Sequence, residues 1–298
     1  MRGSIELVRT AFEFGKSERL PRGEVWINSE VLERAQLKDN LKGHIRLRQR
    51  LGMDLLSLPL SAEEGYNLSQ GYRYFNLDDA REAVRLSDLF VMVVLDGPFQ
   101  KLTSTKGLMT VLSRWKESKE ALREQCSKES KAARKLLDLC LQAGIEAFVL
   151  ADDVAYEQST YFSPKDFEET LAPFYSMAVK SIHAGGARAL FHSCGNIHGF
   201  IPQLRSSGFD GFAACQTRLW DHASLPEDRR TVVLGGIEPE HLESKSFDET
   251  HQQGFQRSVQ DLARRGGLIL CSSCGLYKPE FLDRIKLLYQ LVEDEPRT

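Results

Sequence analysis

Eight short apolar runs, rich in β-branched and aromatic residues and separated by stretches with a helical rhythm, constrain this chain more than any other feature. They fall at residues 24–27 (EVWI), 54–58 (DLLSL), 90–95 (FVMVVL), 146–150 (EAFVL), 187–192 (ARALFH), 208–214 (GFDGFAA), 231–234 (TVVL) and 267–270 (GLIL). Repeated βα units of this kind build a parallel sheet, because parallel neighbours need a crossover and a helix supplies it. Glycine stands where several of the helices must stop, in QAGIEAFVL, HAGGARALFH, SSGFDGFAA and RRGGLILC. Eight units in succession predict an α/β fold, a single (β/α)8 TIM barrel spanning residues 1–298, with residues 1–22 as a helical N-terminal extension. The longest connection, between the third and fourth runs, carries lysine, glutamate and leucine at helical spacing over residues 115–143 and predicts one or two amphipathic helices.

Composition narrows the partners. With 298 residues and 42% hydrophobic content the chain can bury a large core, while 27% charged residues and a net charge of -3 describe an ordinary solvated surface. There is no basic excess of the kind that neutralises phosphates, so no nucleic-acid partner is expected. The opening segment MRGSIELVRTAFEFG alternates charged and apolar positions and lacks the apolar stretch of a signal peptide. No segment reaches the roughly 18 to 20 apolar residues that span a bilayer, and the expectation is a soluble, cytoplasmic protein with no membrane partner. Either a monomer or an oligomer is compatible with this surface. Six cysteines are too sparse for a secreted disulfide framework and read as thiols or metal ligands. Cys126 and Cys140 lie in the long helical connection, where a thiol packs as a small hydrophobe.

Active sites of such barrels lie at the C-terminal ends of the strands. The polar residues just past the runs are Asn28, Asp96, the pair Asp152 and Asp153, His192 with Cys194, Cys215 with Gln216, Glu238, and Cys271 with Cys274. In FHSCGN, alternation along an extended chain sends His192 and Cys194 to the same side. One cysteine of CSSCGL, Cys271 or Cys274, then completes three protein ligands and leaves a fourth position open, as in a catalytic zinc site. Zinc suits imidazole and thiolate, whereas a hard ion would want oxygen. The same residues also permit a buried cysteine beside a core histidine, or a CxxC redox pair or structural clip.

His192-Ser-Cys194-Gly-Asn, Leu234-Gly-Gly-Ile-Glu238-Pro and Ser273-Cys274-Gly-Leu resemble the uroporphyrinogen decarboxylase superfamily. They resemble in particular its zinc-dependent corrinoid methyltransferase branch, related to the catalytic half of cobalamin-independent methionine synthase. Asp96-Gly-Pro-Phe99, Ala143-Gly-Ile-Glu-Ala-Phe-Val-Leu-Ala-Asp152-Asp153 and Phe162-Ser-Pro-Lys-Asp-Phe follow in matching order, so the resemblance covers nearly the whole chain. It implies His192, Cys194 and Cys274 as zinc ligands, with Cys271 as an alternative or additional ligand. Cys215 sits where the methionine synthase relatives carry an acidic ligand, and is either a displaceable fourth ligand or a shielded bystander. One departure matters: where the decarboxylase proper has an arginine-rich segment after its first strand, this chain has Asn28-Ser29-Glu30, which would repel a polycarboxylate.

The resemblance implies methyl transfer between a small methylated compound (a methoxyarene, methylamine or methylthiol), or a thiol or folate acceptor, and the cobalt of a corrinoid. The cobalamin would be carried by a separate corrinoid-binding protein, and O-demethylation with transfer to cob(I)alamin is favoured. Asp152 and Asp153 are expected to do acid or substrate-orienting work, since adjacent carboxylates near a cation can have separated proton affinities. Asn28, Asp96, Phe99, Tyr156, Tyr161, Gln216 and Glu238 are expected to bind substrate, with Phe99, Tyr156 and Tyr161 forming an aromatic wall. The competing expectations are a decarboxylase of a carboxylated substrate and a non-catalytic barrel with a structural metal clip.

Overall fold

The structure, a computed structural model, describes residues 3–61, 63, 71–216 and 231–293. Among these residues seven parallel strands form one sheet in chain order. They are β1 (Leu55–Leu60), β2 (Phe90–Asp96), β3 (Ala147–Ala151), β4 (Arg188–His192), β5 (Gly211–Cys215), β6 (Val232–Ile237) and β7 (Leu268–Ser272). Helices follow every strand except β5, whose connection to β6 lies outside the described residues, and every strand but one end of β4 is buried along nearly its whole length, which is why the runs read as continuously apolar rather than alternating. Period two still sorts the side chains: Phe90, Met92 and Val94 enter the interior cluster with Val149, Leu190, Leu234 and Ile269, whereas Val91, Val93 and Leu95 pack outward against helices.

No eighth strand forms among the described residues, which corrects the expectation for residues 24–27 and leaves a TIM-like sheet that is not a closed eight-stranded barrel. The chain at 21–28 still runs between β7 and β1. Leu270 N donates to the Pro21 carbonyl at 2.8 Å, Gly23 N to Leu270 at 3.0 Å, and Asp54 N to Arg22 at 2.7 Å; higher up, Leu276 N donates to Trp26 at 3.0 Å. Between these points a side chain replaces the ladder. The buried Glu24 carboxylate takes the Ser272 amide (3.1 Å), the Ser272 hydroxyl and the Tyr289 hydroxyl (3.1 Å). Pro21 has no N–H to contribute, so main-chain pairing on this side is broken twice.

The first helix, Ser4–Phe12, places Val8, Ala11 and Phe12 in the interior cluster, with the Phe12 ring 5.7 Å from that of Phe90 at the start of β2. It floors the sheet at the N-terminal ends of the strands and leaves the opposite end open. The long connection forms the helices Leu108–Glu117 and Lys119–Gln142, the second capped by the Ser118 hydroxyl. Cys126 and Cys140 are buried on it. No helix among the described residues is long and apolar enough to cross a membrane.

Candidate metal centre

Three side chains meet at the C-terminal ends of β3 and β4. His192 Nε2 lies 3.7 Å from Cys194 Sγ and 3.9 Å from Asp153 Oδ1, and one donor atom from each residue falls within 4.8 Å of the others. The opposite ring nitrogen of His192 is 2.8 Å from the Ala213 carbonyl. A carbonyl only accepts, so Nδ1 carries the proton and Nε2 presents a lone pair to the group. The acceptor borders a β-bulge, where the register of β5 against β6 shifts and Ala214 takes φ 48°. That left-handed conformation disfavours a non-glycine residue by about 1–2 kcal/mol, a strain of the kind that collects at functional sites. Burial holds the His192 imidazole below its ordinary value against the pull of Asp153, which keeps it neutral as a ligand must be.

The turn after β4 is built for close approach. Cys194 N donates to Asp153 Oδ1 at 2.8 Å, and Gly195 N donates to Gln216 Oε1 at 3.1 Å. Gly195 has φ 84°, and a β-carbon there would sit 2.6 Å from the Tyr156 backbone, so the Cys-Gly step requires glycine. Cys194 faces a cleft of about 460 Å³ whose wall also carries Cys274, Trp26 and Asp96. The Trp26 ring packs 4.3 Å from the His192 ring. Burial, then the neighbouring Asp153 carboxylate, pushes the Cys194 thiol well up, and burial pushes Cys274 up to about 12. Both are therefore thiols until a cation replaces their protons.

The uroporphyrinogen decarboxylase family model matches residues 80–294, which includes β2 to β7 and all the strand ends that carry this group. The chain belongs to the uroporphyrinogen decarboxylase family. No curated protein sequence matches it. Among solved structures it is similar to a methyltransferase from Methanosarcina mazei, at 14% identity and TM-score 0.72 over 99% of each chain. It is also similar to a sugar phosphate isomerase/epimerase from Parabacteroides distasonis (10%, TM-score 0.55, 94% of this chain and 98% of that one). A third is a D-allulose 3-epimerase from Methylomonas sp. (11%, TM-score 0.51, 92% and 96%). At these identities the likeness speaks for the fold shared by this family and these barrels.

Within that fold the two adjacent aspartates part company. Asp153 faces the cleft, whereas Asp152 is fully buried and does not line it. The Asp152 carboxylate instead receives Phe99 N (3.2 Å) and Gln100 N, the first free amides of the helix Pro98–Lys106, together with Tyr175 OH at 2.6 Å. It caps that helix from just past the end of β3, while burial raises its carboxyl to about 7 against those donors.

Cys271 is buried in the interior cluster, its Sγ 3.2 Å from the Ser272 carbonyl and 3.9 Å from Glu24, and Cys215 is buried with its Sγ 3.5 Å from the Leu234 carbonyl. Neither lines the cleft. Asn28 caps the helix Ser29–Arg34, Glu238 caps Pro239–Glu243 while accepting from Ser273 Oγ at 3.3 Å, and Phe99 is buried against Phe162. Asp96 and Tyr161 do line it; Tyr74 OH donates to both Asp96 oxygens, and Tyr156 stacks on Tyr161 from the rim.

Sequence reading passed over Asp153 as a metal donor and over Trp26, Tyr72 and Tyr74 as cleft walls. Period two could have found the first, since Asp153 follows the inward-facing Ala151 by two positions. Trp26 shares the parity of the rim candidate Asn28 in the run 24–27, whereas Tyr72 and Tyr74 come from a segment without a regular period, where no such signal exists.

Proposed function

We propose that the chain is a zinc-dependent methyltransferase, moving a methyl group between a small methylated compound and the cobalt of a corrinoid carried by a separate protein. The observation that carries this reading is the group of His192, Cys194 and Asp153 at the open end of the sheet, with Cys274 on the wall of the same cleft. The donor set fits zinc: tetrahedral bonds to one nitrogen and one sulfur place those atoms about 3.5 Å apart, close to the separation of His192 from Cys194. In this reading His192, Cys194 and Cys274 would hold the zinc, and Asp153 would add a weaker oxygen donor. A zinc ion held there would supply Lewis acidity, lowering the pKa of a substrate thiol or polarising the heteroatom that bears the methyl group.

The chain's own residues do the rest. Ala213 and Trp26 hold the imidazole orientation; Asp96 and Tyr74 offer polar contacts across the cleft; Gln216 fixes the Cys194 turn. The similarity of fold to the Methanosarcina methyltransferase supports the activity, and Asn28-Ser29-Glu30, standing where the decarboxylase proper carries arginines, weighs against a polycarboxylate and so against decarboxylation. O-demethylation remains one form of the transfer, and a cytoplasmic location agrees with a corrinoid partner.

Metal analysis of the wild type beside Cys274→Ala and Cys271→Ala, followed by methyl transfer to free cob(I)alamin, tests the reading. Zinc should be stoichiometric in the wild type and in Cys271→Ala and deficient in Cys274→Ala. Full zinc in the Cys274 variant would overturn the ligand set, and zinc without any methyl transfer to or from cobalamin would overturn the activity.

A further inference from the structure

We propose that Glu24 is a positioning residue of the metal centre: through Ser272 and the segment 24–28 it sets where Cys274 stands relative to His192. The proposal rests on the ligand set given above, in which both residues hold the metal. Those two ligands come from the ends of β4 and β7, which are not neighbours in the sheet, since β5 and β6 lie between them. The segment 24–28, which runs where an eighth strand was expected, touches both. The Trp26 ring packs 4.3 Å from the His192 ring, and the Trp26 carbonyl accepts Leu276 N at 3.0 Å, two residues past Cys274. The Glu24 carboxylate accepts Ser272 N at 3.1 Å, two residues before Cys274. The turn that carries Cys274 is thus pinned at both ends to one short stretch of chain.

Glu24 is the anchor of that stretch because of what holds it. Its carboxylate is fully buried and also takes the Ser272 hydroxyl and, at 3.1 Å, the Tyr289 hydroxyl, so it is fixed by two elements at once. On the opposite side the buried Arg48 donates from one guanidinium nitrogen to the Glu24 carbonyl (3.3 Å) and to the Ser57 carbonyl of β1 (3.2 Å). Arg48 ties the segment to β1 with a side chain, as Glu24 ties it to β7. A buried carboxylate and a buried guanidinium are tolerated only with their partners in place, so a slide of the segment along β7 would leave charged groups unanswered. The turn itself has little freedom to absorb such a slide. Gly275 has φ 74°, and a β-carbon there would lie 2.9 Å from the Trp26 carbonyl oxygen, while Tyr72 OH donates to the Cys274 carbonyl at 3.4 Å. A metal site holds its ion only when each ligand stays within about 0.5 Å of its place, so a displaced Ser272 carries Cys274 out of reach.

Zinc competition with a chelator and the absorption of the cobalt(II)-substituted protein test this. Glu24→Ala should bind zinc about tenfold more weakly or worse. Its thiolate-to-cobalt absorption should fall to about half, as in Cys274→Ala, because one of two thiolates has left the metal. Glu24→Gln, which keeps an oxygen for the Ser272 amide, should bring both readouts back near the wild-type values. In a Cys274→Ala background, Glu24→Ala should change zinc affinity by less than about twofold, since Glu24 acts through Cys274. Glu24→Asp, one bond shorter and unable to reach Ser272, keeps the buried charge and gives the same comparison if the alanine variant does not fold. Wild-type zinc affinity with full absorption in the folded Glu24 variant would overturn the proposal. So would an equal loss of affinity with and without Cys274, or no recovery in Glu24→Gln. Full zinc and full absorption in Cys274→Ala would overturn the ligand set and this proposal with it, whereas a deficient Cys274→Ala beside an unaffected Glu24 variant would overturn the positioning role alone.

Discussion

Replacing the two adjacent aspartates separately should yield opposite phenotypes. Asp152→Ala strips the partner from three buried donors, Phe99 N, Gln100 N and Tyr175 OH. A buried donor left unanswered costs about 1–3 kcal/mol, and the loss of a helix cap about 1 kcal/mol. Because the Tyr175 hydroxyl can turn toward another acceptor, about 4 kcal/mol is a reasonable total. Unfolding entropy of about 2.1 cal/mol/K per residue converts this, for a chain of 298 residues, into a fall in Tm of about 6 °C. Zinc content should stay at the wild-type level, since Asp152 does not reach the cleft.

Asp153→Asn should do the reverse. The amide keeps an oxygen for Cys194 N, so the turn survives and the metal-free Tm should move by no more than about 1 °C. Zinc affinity should fall at least about tenfold, the loss usual even for groups that only support a ligand. Thermal melts of the metal-free proteins and competitive zinc titration with a chelator measure the two quantities independently. If Asp152→Ala loses zinc at an unchanged Tm, or Asp153→Asn keeps full zinc affinity, the division of labour drawn from their geometry is wrong.

Gly97→Ala should destabilise by about 3 kcal/mol without touching zinc, because the added methyl falls on the Asp152 carboxylate; combined with Asp152→Ala the losses should be less than additive, as chemical denaturation of the three variants would show. Zinc uptake should release about two protons at neutral pH, since the Cys194 and Cys274 thiols are both raised, so affinity should climb as pH rises; calorimetry in buffers of different ionisation enthalpy would register this, and release of less than one proton would contradict a two-thiolate site. Burial, aided by Arg48 and opposed by Asp39, lowers His44 from 6.5 to about 4. Its neutral form is favoured in the fold, so its contribution is present above pH 6.5 and disappears as the pH falls to about 4, amounting to about 3 kcal/mol. The stability difference between wild type and His44→Gln in urea should shrink by that amount over this range, and a difference constant with pH would refute it.

What the sequence could disclose follows from how local each interaction is. The run FVMVVL announces β2 because a strand buried on both faces needs no partner information to be recognised. Residues 24–27 have the same β-branched and aromatic character, yet Glu24 turns inward and meets the Ser272 amide with its side chain; that outcome depends on Ser272 and Tyr289, nearly the whole chain away. The metal group divides in the same way. His192 and Cys194 are two apart on one extended segment, so alternation alone brings them together, and Asp153 joins them by the same parity counted from Ala151.

Cys271 and Cys274 carry this reasoning to its edge. Counted along β7, Ile269 and Cys271 share a parity and both lie in the interior cluster, so the strand itself commits Cys271 to the core. Cys274 lies two residues past the strand end, where parity no longer applies. Its position in the cleft is set instead by the turn through Gly275 and by the pairing of Leu276 with Trp26, which is the upper rung of the missing eighth strand. The interruption at Glu24 and the placement of Cys274 therefore belong to one feature. By answering Ser272 with a side chain, the chain ends the ladder below the rim and leaves the last cysteine on a turn that can face the group on β3 and β4.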